Sequence, residues 1–460
     1  MLARPDAGSP TSPEDLAPCV SSAAPARGRP GSQLTLTGRF GDTPVKVLLD
    51  SGSIEHEATV VSWSPSQVVV TVPPSDPGDF SVKLSTGCVP QYQPHFVVAP
   101  PPRVYIHNNT NGADGFDSIT TLAYDPDSGV LSPLGPPTSM GLAASGRPGC
   151  SDSLLLYGGR LYASGDTGVA VFDVDARTGG LQPIDGSPFA SGSTGGAGLG
   201  AGTYIWQATD GGIVSWTRGN GEWLSDRVNV TTTPAASMLL SGTIRPVEIL
   251  AARGDGTLDA WSMTYALLGD RLPVPVAMPL AGSPYPASAT GSGVGIKFSG
   301  PLGSVEHVHV GTPAGLGVWE RDRQTGRLAE VSGSPFPLAA PSGVLSGSYL
   351  GLGSRNKMYL VSTGSGYLVG ATLDASGRPT AMPGSPWNYS PDLTNLSCFT
   401  SASGATAGAV RLIALDAGNG RVGVFDPPAG DGGRPVPVVG SPFALSQTPS
   451  ELASGIAVRE

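Results

Sequence analysis

The residues best suited to chemistry are few. The sequence contains only five histidines, the residue type that most often serves acid–base catalysis and metal binding. His307 and His309 are two residues apart on a predicted strand, so their side chains point to the same face and could together bind a metal ion. No third ligand stands beside them, and ordinary packing between strands is the alternative.

A second polar group follows Tyr105, in the segment YIHNNTNGADGFD. Its oxygen-bearing side chains are Asn108, Asn109, Asn111, Asp114 and Asp117. Oxygen ligands of this kind bind Ca²⁺, although their spacing here differs from that of an EF-hand. Asn, Asp and Gly are also the residues that form turns. The segment is therefore a candidate ligand-binding or calcium-binding loop, with a simple turn as the alternative, and no other cofactor is indicated.

Familiar catalytic motifs are missing from the sequence. It contains no G-x-S-x-G, no P-loop and no H-E-x-x-H. The glycine-rich segment SGSTGGAGLGAGTY precedes a predicted strand, whereas a dinucleotide-binding loop precedes a helix. The question of enzymatic activity stays open at this level and leans toward a non-catalytic protein.

Composition limits the possible partners. The net charge is −10 and charged residues make up 13% of the chain, so a nucleic-acid-binding surface lacks its electrostatic basis. No apolar run reaches the length of a membrane-spanning helix. The first residues show no apolar core of a signal peptide, so the route to any compartment outside the cytoplasm is not apparent.

A repeat organises most of the chain. The string Gly-Ser-Pro-aromatic begins at Gly186, Gly282, Gly333, Gly384 and Gly440, which are 96, 51, 51 and 56 residues apart. The first interval is nearly twice the next, which predicts a degenerate copy between, around Pro234. A weaker copy at Gly135 lies 51 residues before Gly186. The sequence thus predicts seven units.

Each unit has the order expected of four short strands. The third strand carries an aromatic residue and is followed by a D-x-x-T-G turn, as at Asp175–Gly179 and Asp322–Gly326. A sheet of this size cannot bury both faces alone, so the units must stack as blades of a β-propeller. Packing between blades is the expected role of the third-strand aromatics, which are Phe172, Trp216, Trp261, Trp319 and Phe425.

The two ends of the repeat region complement each other. The first unit begins at Val104 directly with a second strand, whereas the chain ends in ELASGIAVRE, which reads as an innermost strand with no blade to follow. Pairing of the last strand into the first blade would close the ring and leave no open sheet edge. We therefore predict a closed seven-bladed propeller.

These motifs resemble the lactonase-type seven-bladed propeller family, which includes 6-phosphogluconolactonase-like and YVTN-like repeat proteins. The resemblance rests on the tyrosine-bearing second strands, the D-x-x-T-G turns and the GSPF-type motifs, and it covers residues 103–460. It implies the fold and allows a lactone hydrolase. No His, Glu or Arg cluster of the enzymatic members can be matched to this sequence.

A separate module precedes the propeller. Short alternating strands, among them SQLTLTGRFG and VVVTVP, predict a small β-sandwich. Their order resembles the IPT/TIG immunoglobulin-like domain, which implies a spacer or interaction role. The chain then divides into a disordered tail (1–16), the sandwich (17–99), a Pro-rich linker (100–102) and the propeller (103–460).

Four cysteines occur, and none forms a C-x-x-C pair. Cys19 and Cys88 lie at opposite ends of the sandwich, and a disulfide between them would indicate an oxidising compartment. The sequence leaves open whether they are bridged. Cys150 and Cys398 are expected to be buried thiols in different blades.

The sequence favours a non-catalytic binding or structural protein outside the cytoplasm, at a cell surface or in an appendage or virion. In this hypothesis the sandwich is a spacer or docking module, and a loop face of the propeller recognises a glycan, a protein or a neighbouring copy. A lactone hydrolase is the alternative, and a cytoplasmic scaffold also remains open.

Overall fold

The structure is a computed structural model of the 460-residue chain. The parts of the chain that it describes are residues 18–86, 93–109, 116–143, 153–192, 199–201, 204–209, 211–218, 224–229, 237–241, 248–252, 257–266, 274–286, 294–299, 305–312, 314–322, 324–338, 345–350, 356–394, 396–403, 410–428, 433–445 and 452–459. The predicted disordered tail 1–16 lies outside them.

The N-terminal module is an all-β unit of eight strands. They are β1 Cys19–Ala24, β2 Arg27–Gly28, β3 Gln33–Arg39, β4 Val47–Asp50, β5 Glu55–Trp63, β6 Gln67–Thr71, β7 Gly78–Leu84 and β8 His95–Val98. Their order in the sheet is β1-β3-β6-β5-β4-β7-β8-β2. The first half of β5 pairs with β4 and the second half pairs with β6, so this one strand belongs to both layers of the sandwich.

Alternation along the strands builds the core of this module. Leu34 and Leu36 of β3 are fully buried, as are Val68 and Val70 of the neighbouring β6. Residues two apart share one face of a strand, which places these four side chains together inside the sandwich. The alternation read from the sequence is thus confirmed, as is the all-β sandwich.

The second compact unit, which begins at Pro102, contains seven further sheets of four or five strands. The strands are, in blade 1, β9 Arg103–Asn109, β10 Phe116–Tyr124, β11 Leu131–Pro133 and β12 Thr138–Ala143; in blade 2, β13 Leu154–Tyr157, β14 Arg160–Gly165, β15 Gly168–Val174, β16 Leu181–Pro183 and β17 Phe189–Ala190; in blade 3, β18 Leu199–Ala201, β19 Tyr204–Thr209, β20 Gly212–Arg218 and β21 Leu224–Asn229; in blade 4, β22 Ser237–Ser241, β23 Glu248–Ala252, β24 Leu258–Ala266 and β25 Val274–Pro279; in blade 5, β26 Val294–Ser299, β27 Val305–Thr312, β28 Gly315–Asp322 and β29 Leu328–Glu330; in blade 6, β30 Leu345–Leu350, β31 Lys357–Ser362, β32 Tyr367–Leu373, β33 Pro379–Ala381 and β34 Trp387–Asn388; in blade 7, β35 Leu396–Ser403, β36 Val410–Asp416, β37 Arg421–Asp426, β38 Val436–Pro437 and β39 Phe443–Ala444; and finally β40 Leu452–Arg459.

The last strand closes the ring. β40 pairs antiparallel with β9, with Ile456 opposite Ile106 and Val458 opposite Val104. It thereby becomes the innermost strand of blade 1. Around the ring, each innermost strand lies beside the innermost strands of the two adjacent blades, in the order β40, β13, β18, β22, β26, β30, β35 and back to β40. The predicted seven-bladed propeller, closed by the C-terminal strand, is confirmed.

The third-strand aromatics hold neighbouring blades together. Phe172 packs on Tyr105 of the preceding blade, and Trp319 packs on Leu250 of the blade before its own. Trp216, Trp261 and Phe425 take equivalent positions in their own inter-blade clusters. All five side chains are buried, so the role expected for them from the sequence is the one they have.

The Gly-Ser-Pro-aromatic motif fastens the outer part of each blade to its third strand. In all five copies the serine hydroxyl accepts a hydrogen bond from a third-strand backbone N–H, for example from Val318 to Ser334 Oγ at 3.0 Å. The serine's own N–H donates to a carbonyl three residues earlier in the chain, as from Ser334 to Val331. The motif therefore satisfies backbone groups within the blade, which explains its recurrence.

The D-x-x-T-G turn of blade 2 contacts the second strand of the preceding blade. The Tyr105 hydroxyl donates to the carbonyl of Gly179 at 3.0 Å. Gly179 has a positive φ of 75°, a conformation that suits glycine. A Cβ there would lie 2.6 Å from Arg103. The turn glycine thus allows the two blades to approach closely. We call this contact, between a second-strand side chain and the turn glycine of the next blade, the turn latch.

Candidate functional site

One end of the propeller carries the connections most suited to binding. The hairpins that join second and third strands lie at this end. In blade 2, such a hairpin leads into Gly168–Val169, and Phe189–Ala190 pairs with these two residues. The innermost strand of the next blade starts at the same end, where Leu199 pairs with Gln207. We call this end the loop face.

The first two blades bring three polar side chains together at the loop face. His107 lies near the end of β9, Asp117 near the start of β10, and Ser153 directly before β13. His107 Nε2 is 3.2 Å from Asp117 Oδ2, and His107 Nδ1 is 3.1 Å from Ser153 Oγ. Their exposed fractions are 1% for His107, 0% for Asp117 and 2% for Ser153. A carboxylate, an imidazole and a hydroxyl are thus aligned across the junction of blades 1 and 2.

The predicted oxygen-rich loop is only partly within the described residues. Asn108 is buried and donates from Nδ2 to Thr120 Oγ1 at 2.8 Å and to Ser118 Oγ at 3.2 Å. Asn109 is the last residue of β9. Asn111 and Asp114 lie outside the described residues. Asn108 and Asp117 therefore have separate partners within blade 1, and calcium binding by the loop stays a prediction.

The two predicted metal ligands form a turn latch between blades 5 and 6. His309 Nε2 lies 3.1 Å from the carbonyl oxygen of Gly377, and a Cβ at Gly377 would lie 2.5 Å from His307. Burial lowers the pKa of His309 to about 4. Burial also lowers the pKa of His307, against the opposing effect of Glu320 and Asp374.

No third metal-binding side chain accompanies this pair among the described residues. Glu306, which directly precedes His307, points to the opposite face of β27, where Arg321 Nη1 donates to its Oε2 at 2.6 Å. Metal binding by His307 and His309 stays a prediction. Their contacts with Gly377 are those of a structural junction.

Sequence reasoning missed Ser153 and the role of His107. Asp117 was selected with the oxygen-rich loop, and its Oδ2 lies 3.2 Å from His107 Nε2. Ser153 belongs to the next blade, 46 residues from His107 along the chain. The one signal available was that His107 has no counterpart in the other repeats.

Another inter-blade contact at the loop face went unpredicted. Gln207 of blade 3 is fully buried and donates from Nε2 to the Gly168 carbonyl at 3.0 Å, in the hairpin of blade 2. It also contacts Ser164 Oγ at 2.6 Å. An amide therefore occupies the junction of blades 2 and 3, where the preceding junction has an imidazole.

Cys19 is disulfide-bonded. Its predicted partner Cys88 lies outside the described residues, and so does Cys150. The pairing of Cys19 with Cys88 therefore stays a prediction. No helix among the described residues is long and apolar enough to cross a membrane.

Comparison with known families identifies the first module. Residues 18–96 match the model of the IPT/TIG domain. This module is an IPT/TIG domain. A curated relative, the cyclomaltodextrin glucanotransferase of Bacillus licheniformis, is 32% identical over 76 residues, which are 16% of this chain and 10% of that enzyme. The chain thus spans about a tenth of that relative's length.

Several solved structures resemble a large part of this chain. A putative 6-phosphogluconolactonase from Bacteroides uniformis superposes with a TM-score of 0.55 at 13% identity, over 78% of this chain and 99% of that one. Another, from Bacteroides fragilis, gives 0.52 at 14% identity over 78% and 98%. The periplasmic gluconolactonase of Pseudomonas aeruginosa gives 0.50 at 14% over 78% and 99%. At these identities the likeness establishes a shared lactonase-type propeller fold and nothing about activity.

Proposed function

We propose that this protein is a binding protein that acts outside the cytoplasm, at a cell surface or in an appendage or virion. The IPT/TIG domain serves as spacer or docking module. The loop face of the propeller recognises a glycan, a protein or a neighbouring copy of the chain. The acidic net charge of −10 argues against nucleic acid as the partner.

The observation that carries this proposal is the composition of the innermost strands, β13, β18, β22, β26, β30, β35 and β40. Small, hydroxyl-bearing, aliphatic and aromatic residues predominate, and the charged residues among them are Lys297 and Arg459. Binding sites are largely apolar with a few polar groups that orient the ligand. These strands contain no His, Asp or Glu, so an acid or base for lactone hydrolysis would have to come from other strands, as His107 of β9 and Asp117 of β10 could.

The loop face also exposes an aromatic side chain. Phe116, at the start of β10, is 40% exposed. Aromatic rings supply large contact area at binding surfaces and are frequent among the residues that dominate affinity. Phe116 is accordingly a candidate contact residue for a sugar ring or an apolar group of a protein partner.

Location outside the cytoplasm has separate support. Disulfides persist in oxidising compartments, and Cys19 is disulfide-bonded. Among the structural relatives, the Pseudomonas aeruginosa gluconolactonase is described as periplasmic. Quantifying free thiols in protein from its native source tests this part, because a reduced Cys19 would contradict it.

Binding can be tested with the full chain on glycan arrays and by recovery of partners from its native surface. We expect Phe116→Ala to weaken ligand binding at least tenfold. Val439→Ala is the matched control, because Val439 is 91% exposed in the turn beyond β38, away from the loop face. Equal loss of binding in both variants, or no binding by the unmodified protein, would contradict the proposal.

The second candidate function is lactone hydrolysis of the 6-phosphogluconolactonase type. It is favoured by the shared fold and by His107, an imidazole held by a carboxylate at the loop face. Turnover of gluconolactone and 6-phosphogluconolactone by the intact chain would support it. Inactivity across a panel of sugar lactones would remove it.

A further inference from the structure

We propose that Ser153 is an activated nucleophile, with His107 as its general base and Asp117 as the residue that positions His107. The ligand class is an ester or lactone, whose carbonyl carbon would be attacked by Ser153 Oγ. This inference deepens the second candidate function above and rests on it, since a lactone is one of the substrates that Ser153 would attack. Labelling of Ser153 is measured apart from lactone turnover, so each can fail without the other.

In the proposed resting state Asp117 is ionised and His107 is neutral. An ionised carboxylate can only accept hydrogen bonds, so at 3.2 Å from Asp117 Oδ2 the Nε2 atom of His107 carries the proton. In a neutral imidazole the other nitrogen is then an acceptor. Nδ1 lies 3.1 Å from Ser153 Oγ, so the serine hydroxyl donates to it. This is the arrangement of a general base poised over a nucleophile.

The nitrogens have exchanged roles relative to the serine proteases. In those enzymes Nε2 faces the serine and Nδ1 faces the carboxylate, whereas here Nδ1 faces Ser153. The chemistry requires only that one nitrogen accepts and the other donates, which both arrangements satisfy. A triad is recognised by geometry and roles rather than by order in sequence.

Ser153 lies at the loop face of the propeller. It directly precedes β13, the innermost strand of blade 2. The burial of all three side chains places their hydrogen bonds in a medium of low dielectric, where electrostatic interactions are stronger than in water.

The proposed step balances without any co-reactant other than water. Ser153 Oγ forms a bond to the carbonyl carbon while its proton passes to His107 Nδ1. Collapse of the tetrahedral intermediate breaks the bond from that carbon to the alkoxide oxygen, which takes the proton from His107. The product is a Ser153 ester, and for a lactone the released hydroxyl stays on the same molecule. Water, deprotonated by His107, then attacks the same carbon, and the bond from that carbon to Ser153 Oγ breaks as Oγ takes the proton back from His107, which releases the acid.

The neighbouring junction supplies a matched control. Ser164 of blade 2 is buried to the same degree as Ser153, with an exposed fraction of 1%. Its partner is the Nε2 atom of Gln207 at 2.6 Å. An amide cannot take up a proton at neutral pH, so Ser164 has no base. The two serines are therefore almost equally buried, but one faces an imidazole and the other faces an amide.

The experiment treats the full chain with a small organophosphorus fluoride, diisopropyl fluorophosphate, and locates the adduct by mass spectrometry. Serine attack on phosphorus displaces fluoride, so the probe reports nucleophilicity without knowledge of the natural ligand. We expect one adduct, on Ser153, that is absent in Ser153→Ala and unchanged in Ser164→Ala. His107→Gln should slow labelling at least a hundredfold, since general-base catalysis contributes roughly 10²–10⁴.

Asp117 is tested by its conservative replacement. Asp117→Asn should slow labelling, because an amide no longer favours the required tautomer of His107, and Asp117→Glu should restore part of the rate. Thermal unfolding of each variant shows whether it is folded. Absence of a Ser153 adduct on the folded native chain, or labelling of equal rate in folded His107→Gln, would overturn the inference. Ligand binding by the native chain is measured separately, and its outcome does not depend on the labelling result.

Discussion

Histidine side chains lie at two inter-blade junctions, and their hydrogen-bonding partners differ. At the junction of blades 5 and 6, His309 faces the backbone carbonyl of Gly377. At the junction of blades 1 and 2, His107 faces the carboxylate of Asp117 and the hydroxyl of Ser153. A backbone carbonyl can only hold the ring in place, whereas a carboxylate and a hydroxyl form a path for a proton.

The repeat register separates these two cases. In the five blades that have a third-strand aromatic, the second-strand residue opposite it provides a common reference, such as Leu161 opposite Phe172 and Val308 opposite Trp319. In blade 1 the equivalent pair is Val104 and Leu122. His309 and Tyr105 both follow this reference by one residue, and both contact a turn glycine. His309 is therefore a variant of a repeated structural position.

His107 follows the same reference by three residues. Blades 2 and 5 have Ser164 and Gly311 at that position. His107 thus departs from the repeat, and its hydrogen-bonding partners are a carboxylate and a hydroxyl. In a repeat protein, side chains that break the register are the better candidates for function, because those that follow it are explained by the fold.

The largest effect is expected from removing residues 452–460. This deletes β40, the innermost strand of blade 1, and exposes the edge of β9 beside His107. An opened ring also loses packing between blades 7 and 1. We expect loss of the cooperative thermal transition, measured by circular dichroism. Deletion of Glu460 alone is the control, and an unchanged transition in the longer deletion would refute ring closure.

Gly377→Ala should destabilise the junction of blades 5 and 6 strongly. Gly377 has φ 71°, and a Cβ there would lie 2.5 Å from His307. The left-handed conformation alone costs roughly 1–2 kcal/mol for other residues, and the clash adds to it. We expect unfolding in urea to show a loss of about 3 kcal/mol. Gly364→Ala is the control, since Gly364 has a similar φ of 72° and nothing within 4 Å of its Cβ position, so equal losses would exclude the clash.

His309 should make stability depend on pH. Its pKa is lowered by burial from 6.5 to about 4, so between these values the unfolded chain binds more protons than the folded chain. Stability therefore rises with pH in this window and is lost as the pH falls from 6.5 toward 4. The full loss is about 3 kcal/mol, at roughly 1.4 kcal/mol for each pH unit.

His309→Tyr places at this position the residue found at Tyr105. We expect it to remove most of the pH dependence while preserving the contact with Gly377. Urea unfolding at pH 7 and pH 4.5 measures the difference. The same pH dependence in the variant and the native chain would show that other groups are responsible.

The smallest effect is expected from Tyr105→Phe. This change removes one hydroxyl and its hydrogen bond to the Gly179 carbonyl and leaves the ring packed in the junction. A hydrogen bond contributes about 1 kcal/mol net, so the thermal midpoint should fall slightly. A loss as large as that of Gly377→Ala would mean that the turn latch depends on the hydroxyl rather than on close packing.

The sequence alone determined the architecture because local patterns repeat. Alternation in Leu34 and Leu36, the spacing of Gly186, Gly282 and Gly333, and an unpaired final strand at 452–459 all follow from what a strand or turn requires locally. Five clear copies of one signal and two weaker ones reinforce each other. The closed ring and the sandwich could therefore be predicted.

The junction of His107, Asp117 and Ser153 was decided only by tertiary structure. Asp117 was selected from the sequence as part of an oxygen-rich loop. The sequence does not show that its side chain meets that of His107 on the adjacent strand. Ser153 comes from the next blade, and its serine is one of many in a chain of short polar turns. Contacts across a blade interface depend on how whole sheets stack, and no local propensity encodes which side chains then meet.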